Sequence, residues 1–347
     1  MDPGPREPVM FSPERLRAAV DRFRGKTVLV VGDLIADEYI YGKPSRISRE
    51  APVLILRFLS REVRLGGSAN ASHNVHTLGA RVIPVGVLGT DSAGDEVLGL
   101  CRSVGIPTDG IVRTGERPTP VKTRIMAGGY QSTRQQVVRV DREPAPMLDP
   151  ATEEVLIKRV VALGEAADAI LFSDYGYGLL TPGIVEQAMA VARQRDRLVT
   201  ADSRYDLLRF RGATAATPNE PEVEELVGGP LEDEPAAEKA GRQVLERLDC
   251  RYLLMTRGSR GMALVEREGP ATFLPIHGTD EIADVTGAGD TVISTFTLAL
   301  VAGSPPVEAA WLANVAGGVV VMKRGTAPVA RAELLHALAS DGTPRES

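Results

Sequence analysis

The segment Asp284-Val285-Thr286-Gly287-Ala288-Gly289-Asp290 runs straight into an apolar stretch with helical spacing through Val292, Phe296 and Leu300. Small residues ahead of a helix leave its first backbone N–H groups unshielded. Gly287, Ala288 and Gly289 can therefore form an anion hole at the positive end of the helix dipole. As mere charge, Asp290 is a costly neighbour for bound phosphate in that turn, but it is well placed as general base for a hydroxyl attacking a phosphoryl group. The plainer alternative is that Asp290 caps the helix and the glycines only turn the chain.

On both sides of this segment, apolar runs at 27–31, 82–87, 169–173, 198–201 and 252–256 alternate with helix-period stretches at 69–78, 152–164, 181–193, 235–248, 288–302 and 306–322. That rhythm predicts βα units with a buried, mainly parallel sheet. Only 4% of the 347 residues are aromatic, so core volume must come from Ala, Val, Leu and Ile, which suits a helix-covered sheet. Two segments, about 38–65 and 119–141, instead alternate with period 2. They are expected to meet as a small β lid over one edge of the body, the alternative being extra strands of the main sheet. The expected organisation is a tail and leading helix over 1–25, one domain over 26–340 and a C-terminal tail over 341–347.

Other clusters fall at strand ends and helix starts. Asp33 ends the first apolar run, where the ligand crevice of an open α/β sheet lies, and with nearby Asp37 is a candidate to grip hydroxyls. Gly66 and Gly67 precede a helix that carries Asn70, an amide able both to donate to and accept from a polyol, with a plain helix start capped by Ser68 as the alternative. Asn219 and Glu222 share one turn and either order Mg²⁺ and its waters beside phosphates or form a capping box. Thr256, Gly258 and Gly261 follow a strand and can pass along a nucleotide. Gly25-Lys26-Thr27 imitates a P-loop, but Val20 stands where its first glycine belongs.

The formal charge of -6 and the lack of a Lys/Arg run exclude the basic footprint of a nucleic-acid binder. No stretch reaches the ~20 apolar residues of a membrane span, and the N-terminus lacks the charged-then-apolar order of a signal peptide, so a cytoplasmic protein is expected. Cys101 and Cys250 belong to no CxxC pair.

Taken in order, Gly32-Asp33, the glycine pair with Asn70, Asn219 with Glu222, Thr256 with Gly258 and Gly261, and Asp284 to Asp290 resemble the PfkB/ribokinase family of carbohydrate kinases over about residues 26–335. The resemblance implies a ribokinase-like three-layer α/β/α body with a β lid. Within that family, Ser45 to Val53, Arg139 to Glu143, Ser173-Asp174-Tyr175-Gly176 and Arg211 to Thr214 resemble the D-glycero-D-manno-heptose 7-phosphate kinases of ADP-heptose synthesis. Those kinases typically carry lysine where this chain has Tyr177, Asp-Pro-Lys where it has Asp202-Ser203-Arg204, and proline in place of Arg49.

The resemblance implies ATP and Mg²⁺ as cofactors, with the anomeric hydroxyl of a sugar phosphate as acceptor. Asp290 would be the base, Asn219 and Glu222 would position Mg²⁺, and Asp33, Asp37, Gly66, Gly67, Asn70 and Asp174 would hold the sugar. Lys122, Arg124, Arg139 and Arg204 form the pool for a phosphate clamp. Asp284 and Thr286, with the Gly325-Thr326 loop, would form a monovalent-cation (K⁺) site. A homodimer joined through the lids is expected because lid strands expose edges. The rivals are another acceptor (ribose, a nucleoside, fructose 6-phosphate) and a non-catalytic sugar or nucleotide sensor on the same fold.

Overall fold

A computed structural model describes residues 11–128, 135–144, 147–278 and 284–340. The expected C-terminal tail, most of the N-terminal one and residues 129–134 of the second lid excursion lie outside the described residues. The strands are β1 Thr27–Gly32, β2 Leu34–Ile47, β3 Leu54–Gly67, β4 Arg81–Gly89, β5 Ile111–Thr114, β6 Val121–Ala127, β7 Gln135–Arg142, β8 Ala169–Asp174, β9 Leu198–Ser203, β10 Ala215–Ala216, β11 Tyr252–Thr256, β12 Met262–Glu266 and β13 Thr272–Leu274. The helices are α1 Pro13–Asp21, α2 Ser68–Thr77, α3 Ser92–Ser103, α4 Pro150–Gly164, α5 Pro182–Gln194, α6 Glu220–Val227, α7 Glu234–Leu248, α8 Ala288–Val301, α9 Pro306–Val321 and α10 Arg331–Ser340.

Every residue of β1 is buried, and alternate side chains face opposite layers. Val28 and Val30 join the core with Leu78 beside α2, Phe296 of α8 and Leu312 of α9. Leu29 and Val31 pack with Leu156 of α4 and Ile184 and Met189 of α5. The run Thr-Val-Leu-Val-Val-Gly is therefore apolar without alternation because both faces are covered, and each such side chain contributes about 1.5–3 kcal/mol of burial. A further cluster packs Leu253, Met255 and Val265 against Val244 and Leu245 of α7.

The large sheet has the order β13-β12-β11-β10-β9-β8-β1-β4-β5. From β5 to β11 its pairings are parallel, and β12 and β13 add antiparallel strands at one edge. The chain leaves β1 for β4 on one side and returns to β8 on the other. The β1/β8 boundary is thus the topological switch point, where a ligand crevice opens off the carboxyl ends of the strands. Asp33 follows β1 directly, Asp174 ends β8, and Asp202 lies near the end of β9 beside them.

The two period-2 excursions do form a separate sheet, of order β3-β2-β6-β7, and not extra strands of the main one. It starts at Leu34, a single residue after β1, and its first arm ends at Gly67, so the alternation read from sequence understated its length at both ends. The reason is burial. Leu34, Ile35 and Ala36 are all apolar because the root of the sheet is packed into the body, while Ile47, Phe58 and Val140 at the far end are exposed.

Candidate functional site

Gly287 occupies the N-cap of α8 with φ +81°, a left-handed conformation that favours glycine. A Cβ there would lie 2.7 Å from Asn70 Nδ2 and 3.2 Å from Thr326 Cγ2. The turn delivers Asp290, in the first turn of α8, into a buried position between two donors. Asn70 Nδ2 donates to its Oδ2 over 2.8 Å, and the Tyr175 hydroxyl donates to its Oδ1 over 3.0 Å. Burial pushes the Asp290 carboxyl up to about 7, Asp37 adds to the rise, and the two donors and Lys122 oppose it. A carboxylate poised near neutrality, at a helix N-terminus whose first N–H groups have no intrahelical acceptor, suits proton abstraction beside an anion.

On the lid side, Asp37 of β2 accepts from Arg124 Nη1 at 2.6 Å and from Thr326 Oγ1 at 2.6 Å. Gly66 makes room for it, since a Cβ there would fall 2.6 Å from Asp37 Oδ2. Gly67, at φ +57°, would place a Cβ 2.4 Å from the Asp33 carbonyl, so the glycine pair lets the start of α2 close onto Asp33 and Asp37. Asp33 Oδ2 accepts the backbone N–H groups of Tyr175 and Tyr177, at 2.9 and 3.2 Å. Burial, then the neighbouring Asp174, raise the Asp33 carboxyl to about 6 despite those bonds and the positive field of Arg117. Asp174 accepts from Gly176 N and Ser203 Oγ, holding the same turn.

Lys122 is buried among rings, its Nζ 4.5 Å from the Tyr175 centroid and 5.6 Å from that of Tyr177. Among the described residues no carboxylate lies within ion-pair distance of it. Burial lowers its pKa, Asp37 counters, and Arg204, Arg124 and Arg139 lower it further, so the four cations picked from sequence share one electrostatic neighbourhood. They differ in commitment. Arg124 is bound to Asp37, Arg139 is exposed and forms a bidentate pair with Asp141, and Arg204 stands at the cleft rim over the Tyr205 ring.

Beyond Asp290 opens a cleft of about 800 Å³ lined by Thr256, Gly258 and Gly261 on one side and Val285, Ala288, Gly289 and Val292 on another. Asn219 and Glu222 do form a capping box on α6, with Glu222 Oε2 accepting the Asn219 N–H at 2.8 Å and Asn219 Oδ1 accepting the Glu222 N–H at 2.9 Å. Both also line the cleft, and burial raises the Glu222 carboxyl to about 6. Asp202 was not singled out from sequence, yet its Oδ2 lies 3.7 Å from where a Cβ on Gly289 would be. Burial, then Glu222 and Asp290, hold its carboxyl well above the ordinary range.

Two buried acids, Asp202 raised further by the charge of Glu222, on the wall of a cleft beside a helix N-terminus, fit a divalent cation that keeps waters and shares phosphate oxygens. Among the described residues no cluster of three or more His, Cys, Asp or Glu could hold a metal by itself. A monovalent cation fits less well. Asp284 Oδ1 accepts from Thr286 N and Oγ1, its Oδ2 accepts from Gly325 N, and Arg64 Nη1 donates to the carbonyls of Arg324 and Thr326 at 2.6 and 3.2 Å.

Asp33, Asp37, Gly66, Gly67, Asn70, Lys122, Asp174 and Asp290 therefore meet at the switch point, and Asn219, Glu222, Thr256, Gly258, Gly261 and Arg204 line the adjoining cleft. Sequence reasoning assigned no role to Tyr175 or Asp202, nor to Asn314, Gly317 and Gly318 of α9, which floor the cleft. Asp202 had a signal, since it follows an expected strand as Asp33 does. Tyr175 had none of its own, because its hydroxyl reaches Asp290 across 115 residues of chain.

Residues 26–332 match the profile of the pfkB family carbohydrate kinases. The Bifunctional protein HldE of Mesorhizobium japonicum is 41% identical over 329 residues, 94% of this chain and 65% of its own length. That of Geobacter sulfurreducens is 40% identical over 311 residues, 89% of this chain and 62% of its own. The chain thus spans just under two thirds of these relatives. Ribokinase of Arabidopsis thaliana, solved with ribose and ATP, superposes with a TM-score of 0.68 at 19% identity, covering 90% of this chain and 98% of that one. Phosphofructokinase-2 of Escherichia coli, solved with potassium, gives 0.74 at 16% identity over 90% of this chain and 98% of the other. These two share the ribokinase-like fold. No helix among the described residues is long and apolar enough to cross a membrane. With its glycine turn, buried acid and profile match in agreement, the chain belongs to the pfkB family of carbohydrate kinases, phosphotransferases whose acceptor is an alcohol.

Proposed function

We propose that the chain transfers the γ-phosphoryl group of ATP to the anomeric hydroxyl of D-glycero-D-manno-heptose 7-phosphate. The observation that carries the phosphoryl-transfer half is Asp290, buried in the first turn of α8 with a pKa near 7 and with Ala288 and Gly289 open to the cleft. The acceptor hydroxyl gives its proton to Asp290 as its oxygen bonds to phosphorus, and the N–H groups of Gly289 and Asp290 face the charge on the transferring group, that of Ala288 being taken by the Val285 carbonyl. Asn219 and Glu222, joined by Asp202, would hold Mg²⁺, which when bound screens the phosphate charge. The apolar wall of Val285, Val292, Gly317 and Gly318 suits the base of a nucleotide.

The preference for a phosphorylated acceptor rests on Lys122, a buried cation with no carboxylate at ion-pair distance among the described residues, which lies against the Tyr175 ring beside Asp290. The heptose assignment rests on Ser45 to Val53, Arg139 to Glu143 and Ser173 to Gly176, together with the relatives named HldE. Release of ADP, measured with heptose 7-phosphate, fructose 6-phosphate, ribose and adenosine, tests it. Preferred turnover of the heptose is expected; preference for another acceptor overturns the substrate, and ATP binding without any turnover overturns the reaction in favour of a sensor.

A homodimer through the lids is part of the same proposal. Ile47, Val53, Phe58, Val137, Val138 and Val140 expose apolar surface on the small sheet, a patch that a second lid would cover. Light scattering should return twice the chain mass; a monomer at micromolar concentration rejects it.

A further inference from the structure

We propose that Tyr175 is a positioning residue that holds the proton-accepting oxygen of Asp290 in the free enzyme and yields it to the acceptor hydroxyl. This rests on Asp290 being the base. Its Oδ2 takes the amide of Asn70, a donor fixed on α2. Its Oδ1 takes the Tyr175 O–H at 3.0 Å, the same kind of bond, in the same sense, that an acceptor hydroxyl must make before it loses its proton. Tyr175 occupies that place from a well-anchored backbone, since its N–H donates to Asp33 Oδ2 and Gly176 follows at φ +76°.

The same ring faces Lys122 Nζ at 4.5 Å. A sugar phosphate drawing Lys122 toward its phosphoryl oxygens takes a cation off the Tyr175 ring face, so capture of the acceptor's anion and release of Oδ1 act on one side chain. Tyr175 keeps its own proton throughout: burial, then Asp290, Asp202 and Asp37, hold its phenol well above the ordinary value. In the transfer the acceptor O–H bond breaks, its proton goes to Asp290, the new O–P bond forms and the bond from γ-phosphorus to ADP breaks.

The groups around Asp290 from each packed element are Asn70 on α2, Asp37 on β2, Lys122 on β6, Tyr175 after β8 and Asp202 on β9. The acid of α9, Glu308, is turned away to Ser304 and Arg15. Among the described residues only Asn70 and Tyr175 bond to the carboxylate directly, so removing Tyr175's donor removes support from its charged form.

The test is the pH dependence of kcat and of KM for acceptor and ATP, by ADP release, in Tyr175→Phe beside Asp290→Asn. The expected result is an acid limb of kcat/KM moved up by about one pH unit, a roughly fivefold loss at pH 7, and KM for ATP unchanged. A limb that stays in place, with Asp290→Asn inactive, overturns the role of Tyr175 and leaves the base standing. Turnover by Asp290→Asn overturns the base and this inference with it. Should Tyr175→Phe fail to fold, 3-fluorotyrosine placed at position 175 makes the phenol a stronger donor and should move the limb down; an unmoved limb again rejects the proposal.

Discussion

Asn70 and Asp290 lie 220 residues apart in the chain, and the amide of one donates to the carboxylate of the other over 2.8 Å, joining the starts of α2 and α8. Both helices begin at a glycine with positive φ, Gly67 and Gly287, and both aim their first turns into the crevice between β1 and β8. The bond brings the polyol-type amide and the acid expected of a base into one unit. It also explains why each glycine turn is required, because a Cβ at 287 would strike the very amide that steadies the carboxylate.

Replacing Asp290 with Asn should remove turnover by about 10³-fold while ATP affinity stays within a few-fold, as loss of a general base without loss of the anion hole requires. The stability of the variant should carry a pH signature. Asp290 has a pKa near 7 in the folded protein against an ordinary 3.8, so between those values the native state binds a proton that the unfolded chain has released. Wild-type stability therefore falls as pH rises through that window, and the neutral variant lacks this slope. Its melting temperature should gain on the wild type between pH 5 and pH 8 by at least about 2 °C. A constant difference would show that Asp290 titrates elsewhere.

Gly287→Ala should cost about 1–2 kcal/mol from the left-handed backbone alone, more from the 2.7 Å approach to Asn70 Nδ2. Because the clash falls on the amide that holds Asp290, kcat should drop further than stability accounts for. Melting and steady-state kinetics on the same preparation separate the two; a variant that is destabilised yet turns over normally would deny the turn its role.

The cation pool splits by partner. Lys122→Met removes a charge that no carboxylate among the described residues pairs with at ion-pair distance, so KM for a sugar phosphate should rise about 10- to 100-fold while a sugar lacking the phosphate is little affected. Arg124→Met instead strands Asp37 as a buried, unpaired acid, an outcome that typically costs about 3–5 kcal/mol, so it should show first as lost stability. Equal effects on KM from the two variants would reject this division of labour.

The chain's order of apolar runs was enough to place five of the seven parallel strands, because a sheet covered on both faces needs unbroken Val, Leu and Ile, as in Val28 to Val31; β5 and β10, of four and two residues, were missed. The two-sidedness of local signals limited the rest. Asn219 and Glu222 were legible as either cap or ligand, and the structure shows the cap bonds formed in residues that also line the cleft. The edge strand β13 escaped notice because three residues carry too little period to register, and β12 was missed although it is as long as β11. Tyr175 and Arg64 act through partners more than a hundred residues away, a relation that no spacing rule within one element can encode.

Arg64 joins the lid to the loop around Gly325. It lies on β3 of the lid, bonds Glu62 through Nε, and directs Nη1 at the carbonyls of Arg324 and Thr326. Gly325 between them donates to Asp284, which in turn holds Thr286 at the start of the glycine turn. A fixed guanidinium thus supplies positive charge to the loop where the resemblance placed K⁺. Wild-type turnover should change less than about twofold when KCl is replaced by choline chloride, since the carbonyl dipoles already face a cation. In Arg64→Ala those carbonyls lose it, and turnover should become low in choline chloride and recover as KCl is added. Strong potassium activation of the wild type, or an alanine variant indifferent to KCl, would show that Arg64 only fastens the lid to the body.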